Sequence, residues 1–320
     1  MIYTPSELRD SQKDKPWVMS YNRLEAIADP TSKKVMYIEN YGPHDGFFIE
    51  GWRALHYPRT SPLVQKSYRE GGSTICIIKT GKSDLKLVPS LSPLGISECK
   101  INGDEIEITF EGVGGAGVSA SYSRGMAEGV KRVEVISGGG GRKMGKAKII
   151  LPKKRLLLIG VDDTDNDEEG ATYSLVHNIA TEISSKSKTR YAIHVNVQLY
   201  PYNDFKTKNC FATVVGIIFE NDKEKAEIIS HFQKQLKKYS VSKETGMAVY
   251  EGFSFDKDFE ALCTSLKFQM LEDTQLLISE AKKQGVEVYE ITGKRGLVGA
   301  IGSLPFFDKP DFAATLPPKK

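Results

Sequence analysis

The chain has little cysteine. Its four residues, Cys76, Cys99, Cys210 and Cys263, are too far apart for a C-x-x-C zinc or redox pair and too few for a disulfide scaffold. Isolated thiols of this kind serve as small buried hydrophobes or stay free. The five histidines are equally scattered, so no zinc or iron–sulfur site can be written. No apolar run approaches the roughly 18 residues that a spanning helix needs. The start, Met1-Ile2-Tyr3-Thr4-Pro5, lacks a basic-then-apolar signal segment. A membrane partner is therefore not expected, and the cytoplasm is the expected compartment. With 40% apolar and 27% charged residues, 29 Gly and 14 Pro, collagen-like and largely disordered chains are also excluded.

At 320 residues the expectation is two domains, each burying its own core. Net charge is only +3, yet it is unevenly divided: residues 1–154 carry 23 Lys and Arg against 17 Asp and Glu, and residues 155–320 carry 21 against 24. Residues 131–155 hold nine bases and a single acid, Glu134, and residues 162–169 then hold six acids in eight positions. Such adjacency suggests a bound anion beside a bound cation.

The first half reads mostly as strands. Residues 34–41, 47–57, 74–80, 84–88 and 105–110 are rich in β-branched or aromatic residues, and Asn102-Gly103 is a hairpin signal. Residues 117–129 allow one short helix, followed by strands at 131–136 and 147–151. This half is expected to be an antiparallel α+β domain. The second half alternates, as an α/β domain does. A buried strand at 156–161 feeds a helix carrying Leu175, Ile179 and Ile183, and strands follow at 192–200 and 210–219. A helix over 223–239 turns Ile229, Phe232 and Leu236 inward. Further helices are expected at 257–268 and 273–284, with strands at 247–250 and 286–291. Residues 305–320, with four prolines, read as a loosely packed tail without a helix.

The strongest chemical signal is Gly160-Val161-Asp162-Asp163-Thr164-Asp165 at the end of the buried strand. A strand end is the usual ligand crevice of open α/β folds, and clustered carboxylate oxygens suit hard Mg²⁺. Neighbouring ionised acids repel, so a cation, a shared proton or solvent must relieve them. An EF-hand loop starting at Asp163 fails, because Glu168 and Ser174 stand where glycine and a bidentate acid are needed. Asp163-Thr164-Asp165 also satisfies the D-x-D of haloacid-dehalogenase-type phosphatases, with an aspartate nucleophile.

Three other segments can serve an anion. Gly170-Ala171-Thr172 opens a helix, where main-chain N–H groups and the threonine hydroxyl either hold phosphate or simply cap. In residues 201–209, Lys206 and Thr207 suit a loop reaching over a nucleotide, or a solvated hairpin tip. After the last strand, Arg295-Gly296 suits an anion clamp, while Gly299 and Gly302 suit close packing. Eleven glycines between Gly112 and Gly145 match neither a P-loop nor a Rossmann fingerprint. Flanked by Arg142, Lys143 and Lys146, these loops either fold over an anion or move freely at the surface.

Taken together, these segments resemble the methanogenesis marker protein 11 family of archaea. The resemblance rests on Tyr57-Pro58-Arg59-Thr60-Ser61-Pro62-Leu63-Val64, Gly81-Lys82-Ser83-Asp84-Leu85, the glycine loops, and residues 159–172. The second half is also similar to the kinase-like domain of the archaeal tRNA-isoleucine agmatinylcytidine synthetase, through residues 160–165, 201–208 and 295–300. Lys208-Asn209 stands where that synthetase has Arg-Gly. This resemblance implies ATP and Mg²⁺. Asp162, Asp163 and Asp165 would hold the metal and carry the catalysis, and Gly160, Thr164, Gly170, Thr172, Lys206, Thr207, Lys208, Arg295 and Gly296 would surround the nucleotide.

The expected organisation is an α+β domain over residues 1–152, an ATP-binding α/β domain over residues 153–304 and a proline-rich tail over residues 305–320. The expected function is methanogenesis-associated phosphoryl transfer or ATP hydrolysis that activates an acceptor such as an RNA, a cofactor precursor or a protein. Two alternatives stand beside it: a non-catalytic assembly factor for a methanogenic enzyme, and a phosphatase acting through Asp163.

Overall fold

The computed structural model describes residues 1–41, 51–207, 209–271 and 273–318. The chain divides into two compact units, Met1–Lys154 and Arg155–Lys320. Strand β10 (Gly145–Asp162) contributes residues to each.

The first unit contains β1 (Ile2–Tyr3), β2 (Arg23–Ala28), β3 (Lys34–Asn40), β4 (Val64–Glu70), β5 (Ser73–Lys79), β6 (Gly81–Lys82), β7 (Leu94–Asn102), β8 (Glu105–Gly112) and β9 (Arg132–Ser137). Its helices are α1 (Pro5–Gln12), α2 (Trp52–Thr60) and the short α3 (Gly115–Val118), which continues as a wider π-type turn over Ser119–Ser123. Four strands pair antiparallel in the order β4-β5-β3-β2, and a second antiparallel array runs β6-β7-β8-β10-β9-β1. Alternation explains β10 here. Ala147, Ile149 and Leu151 are buried, while Lys146 and Lys148 point outward to the acids of β8 and β9.

Several sequence expectations change in this unit. Residues 47–50 of the expected strand at 47–57 lie outside the described residues, and from Trp52 on it is helix α2, which buries Tyr57 and Thr60 one turn apart. Residues 84–88 form no strand. The β7–β8 hairpin exists, but Gly103 (φ 60°) and Asp104 occupy its two-residue loop because Asn102 pairs with Glu105.

The basic run is not a free anion surface. Seven of its nine bases pair with acids: Lys131 and Arg132 with Glu105, Lys146 with Glu111, Lys148 with Glu107 and Glu134, Lys153 with Asp104, Lys154 with Glu25, and Arg155 with Asp222 and Glu251. Part of the glycine-rich stretch is closely packed, while Gly115 and Gly141 have open space around them. A Cβ on Gly139 would lie 2.1 Å from the Gly117 carbonyl carbon, and one on Gly145 would lie 2.0 Å from the Gly117 oxygen. Backbone packs on backbone there.

In the second unit the order is β10, α4 (Thr172–Lys186), β11 (Arg190–Gln198), β12 (Phe211–Phe219), α5 (Asp222–Tyr239), β13 (Gly246–Glu251), α6 (Lys257–Ser265), α7 (Thr274–Lys283), β14 (Glu287–Glu290), α8 (Leu297–Ser303) and α9 (Pro310–Ala314). The sheet order is β11-β12-β10-β13-β14, and every pair is antiparallel. The elements from β10 to β13 thus form a βαββαβ split-βαβ arrangement of the ferredoxin-like kind, with β14 added at the edge. The expected mixture of helix and sheet is present. The parallel pairing that an α/β label carries is not, because β12 lies between β10 and β11 and β13 runs against β10.

Both faces of β10 are covered, which is why Leu156–Val161 is continuously apolar. Leu157, Ile159 and Val161 meet Val176, Ile179 and Ile183 of α4 and Ile228, Phe232 and Leu236 of α5. Ile228, rather than the expected Ile229, fills the stripe. Burial of each such side chain stabilises by about 1.5–3 kcal/mol. On the other face, Gly160 lies under α8: a Cβ there would sit 1.9 Å from the Ala300 carbonyl oxygen.

The tail also differs from expectation. Leu304–Phe306 makes a turn of 3₁₀ helix and α9 follows, each with a proline in its first turn where no N–H is needed. The buried amine of Lys267 fastens this segment by donating to the carbonyls of Gln198 (2.8 Å), Ala313 (2.7 Å) and Thr315 (3.1 Å). Burial lowers its pKa to about 8.

Candidate functional site

The end of β10 projects three carboxylates into one cavity of about 730 Å³. Gly170, Thr172 and Tyr173 at the start of α4, Lys206 and Thr207 from the β11–β12 loop, and Lys294, Arg295 and Gly299 before and within α8 share its wall. Segments more than 130 residues apart in sequence therefore converge on one space. Lys208 lies outside the described residues.

Each acid is held differently. Asp162 is pressed against α8, accepts from the Asp163 main-chain N–H at 2.8 Å, and has its pKa pushed well above the carboxylate range by burial and by the charge of Asp163. Among the described residues no cation pairs with it directly, and Arg295 is the cation whose charge offsets part of this shift. Asp163 adopts φ 63°, a left-handed conformation that Asp tolerates better than most residues. Its carboxylate makes a two-pronged pair with Arg295 (Nε to Oδ2 2.7 Å, Nη2 to Oδ1 3.0 Å), and its carbonyl accepts from the Thr245 hydroxyl at 2.8 Å. Asp165 accepts long hydrogen bonds from the hydroxyls of Thr172 (3.4 Å) and Thr207 (3.5 Å). Among the described residues, no three His, Cys, Asp or Glu side chains converge as a ready-made metal cage. The donors are nonetheless hard oxygens on three acids of one wall, which is chemistry that fits Mg²⁺.

Three expected contacts lie behind the wall rather than on it. Gly160 and Gly296 are packing positions; a Cβ on Gly296 would lie 2.6 Å from the Gly246 nitrogen and 2.7 Å from the Asp162 oxygen. Thr164 is buried and bonds Thr172 hydroxyl to hydroxyl at 3.0 Å. That bond, with no side chain capping α4, leaves the helix start aimed at the cavity as a positive dipole end. Lys206 is exposed, and its main-chain N–H and that of Phe205 donate to Asn203 Oδ1 at 3.0 Å each, which shapes the loop.

Sequence reasoning missed two parts of the wall. Leu266, Met270, Leu271, Ile278 and Val298 form an apolar flank, and Glu244 aligns the Arg295 loop by accepting from the N–H groups of Lys294 (3.2 Å) and Arg295 (3.1 Å). Tyr173, on the other flank, stacks on His194 (centroids 4.0 Å apart, 16° between planes), and His177 lies parallel behind at 5.8 Å. Tyr191 places its hydroxyl 2.5 Å from His194 Nδ1, and burial, followed by the neighbouring His177, lowers the His194 pKa to about 4. No local spacing marks these contacts, since they join α4 to the sheet edge.

Comparison with known proteins bears on the second unit first. Residues 158–293 match the model of the TiaS TCKD domain. Among solved structures, the TiaS–tRNA(Ile2)–ATP complex shares 16% identity at a TM-score of 0.40, covering 47% of this chain and 36% of that one. Apo TiaS, the tRNA(Ile2) agmatidine synthetase, shares 14% at 0.38, covering 47% and 35%. The chain thus spans little more than a third of the TiaS chains it matches. An uncharacterized protein of Methanocaldococcus jannaschii, MJ0921, is 35% identical over 291 residues, covering 89% of this chain and 93% of that protein. The chain belongs to the family of that protein.

Proposed function

We propose that the second unit binds ATP with Mg²⁺ at the tip of β10 and transfers or hydrolyses its terminal phosphoryl group. One observation carries the reading: Asp162, Asp163, Asp165, the start of α4, Lys206, Thr207 and Arg295 line a single cavity. Its volume lies within the 300–1,000 Å³ typical of small-ligand sites. Mg²⁺, when bound, supplies charge neutralisation at the phosphoryl oxygens. Asp162, Asp163 and Asp165 are the residues to hold it, and Lys206, Thr207 and the N–H groups opening α4 are the donors for phosphate oxygens. The apolar flank of Leu266, Met270 and Val298 suits a nucleotide base. TiaS, whose TCKD domain model matches residues 158–293, contains ATP and tRNA(Ile2) in its solved complex, which supports the nucleotide part of the reading.

The acceptor, an RNA, a cofactor precursor or a protein, belongs to the proposal, as do the link to methanogenesis through marker protein 11 and a cytoplasmic setting. A non-catalytic assembly role for a methanogenic enzyme uses the same site for switching. The phosphatase alternative is less favoured, since both oxygens of Asp163 are engaged by Arg295 and are not poised as a nucleophile. Calorimetric titration of ATP with and without Mg²⁺, on the wild type and on Asp162→Asn and Asp163→Asn, tests the reading. Mg²⁺-dependent binding by the wild type that is lost in Asp162→Asn supports it, and equal binding by all three proteins contradicts it. Tight binding without turnover favours the assembly factor.

A further inference from the structure

Arg295 lines the cavity, and its guanidinium is paired there with Asp163. Its guanidinium grips both oxygens of Asp163, while its side chain is 41% exposed and that of Asp163 13%. Both backbones are tied down from the same turn. The Thr245 hydroxyl binds the Asp163 carbonyl, and Glu244 binds the Arg295 N–H through its carboxylate and the Gly296 N–H (2.9 Å) through its carbonyl. The main chain is therefore held in place, and the long, partly exposed Arg295 side chain reaches along the cavity wall.

We infer that Arg295 is a stand-in cation. It neutralises Asp163 while the site has no metal and releases it when a metal–triphosphate enters, turning its fork to the phosphate oxygens. The inference rests on the nucleotide reading above. Its physical basis is geometric: the guanidinium fork holds both oxygens of Asp163 in a wall shared with Asp162 and Asp165, and such a fork matches carboxylate and phosphate equally well. Arg295 is then a positioning residue that couples metal to nucleotide. It opposes metal binding alone and favours metal and triphosphate together, so its removal moves the two affinities in opposite directions. A purely structural Arg295 moves both the same way.

The test uses the full chain, with Mn²⁺ as probe for the divalent ion and loss of the free-ion paramagnetic resonance signal as readout. ATP binding in Mg²⁺ is followed by calorimetry. Arg295→Gln, which keeps the stem of the side chain, is expected to bind Mn²⁺ alone roughly three- to tenfold more tightly than wild type, the factor set by one partly exposed ion pair. The same variant is expected to bind ATP with Mg²⁺ more weakly. Arg295→Lys, which keeps the charge but not the fork, falls between. Mn²⁺ affinity in Arg295→Gln equal to or below wild type, with the wild type still binding ATP in Mg²⁺, overturns this inference alone. A wild type that binds no ATP in Mg²⁺ overturns the nucleotide reading and this inference with it.

Discussion

Gly299 is seated on the carboxylate of Asp162: a Cβ added to it would lie 1.9 Å from Asp162 Oδ2. Helix propensity alone favours alanine over glycine by about 1 kcal/mol, so Gly299→Ala would stabilise an isolated helix. Here it must push α8 or the carboxylate aside, which costs about 1–3 kcal/mol in a packed site. Gly299→Ala is expected to lower the melting temperature and to weaken Mg²⁺-dependent ATP binding by about tenfold or more. Calorimetry and thermal unfolding of the one variant check both.

The ligand-binding role proposed for Asp162 comes at the expense of the free protein's stability. Burial and the charge of Asp163 hold its pKa up, so an ionised Asp162 without a cation destabilises the fold. Asp162→Asn removes that charge at nearly the same volume. Denaturant unfolding without ligand is expected to show equal or greater stability than wild type, by up to about 2 kcal/mol, even as Mg²⁺-dependent binding disappears.

His194 makes the second unit acid-sensitive. It stays neutral in the fold down to about pH 4, whereas in the unfolded chain its pKa is about 6.5. Between those values the unfolded state binds more protons, so stability falls as pH drops through that window. His194→Phe keeps a ring against Tyr173 and removes the titration. Urea unfolding at pH 7 and pH 5 is expected to show wild type losing on the order of 1 kcal/mol more than the variant, after allowance for the ring's partial exposure.

The core of the first unit contains a fully buried ion pair. Arg124 Nε donates to Glu39 Oε1 at 2.6 Å, both side chains are fully buried, and the Tyr57 hydroxyl completes the cluster with hydrogen bonds to Glu39 at 3.1 and 3.3 Å. Glu39→Gln leaves the guanidinium buried without a counter-charge and is expected to cost about 3–5 kcal/mol. Arg124→Met together with Glu39→Leu is expected to cost far less. Equilibrium unfolding of the two proteins checks the ordering.

What the sequence reveals about the site follows from where the information lies. Gly160 through Asp165 is contiguous, so a buried strand ending in acids is readable, and α4 follows from the spacing of Leu175, Ile179 and Ile183. The flank of Leu266, Met270, Leu271 and Ile278 and the stack of Tyr173 on His194 come from separate elements, and only tertiary packing brings them together. Antiparallel pairing was hidden for a similar reason: alternating strands and helices also describe a βαββαβ sheet in which β12 is inserted between β10 and β11. Proline suggested an unstructured tail, but at the first turn of a helix it costs nothing, and Lys267 supplies the anchor. The basic run misled because a count of charges along the chain cannot see the acids on neighbouring strands.

The most direct measurement is a crystal structure grown with Mg²⁺ and a non-hydrolysable ATP analogue. The triphosphate is expected between the start of α4, Lys206 and Arg295, with the metal on one or more of Asp162, Asp163 and Asp165 and the Arg295 guanidinium withdrawn from Asp163. A nucleotide bound elsewhere on the molecule, or one in this cavity with no metal on any of the three aspartates, contradicts that expectation.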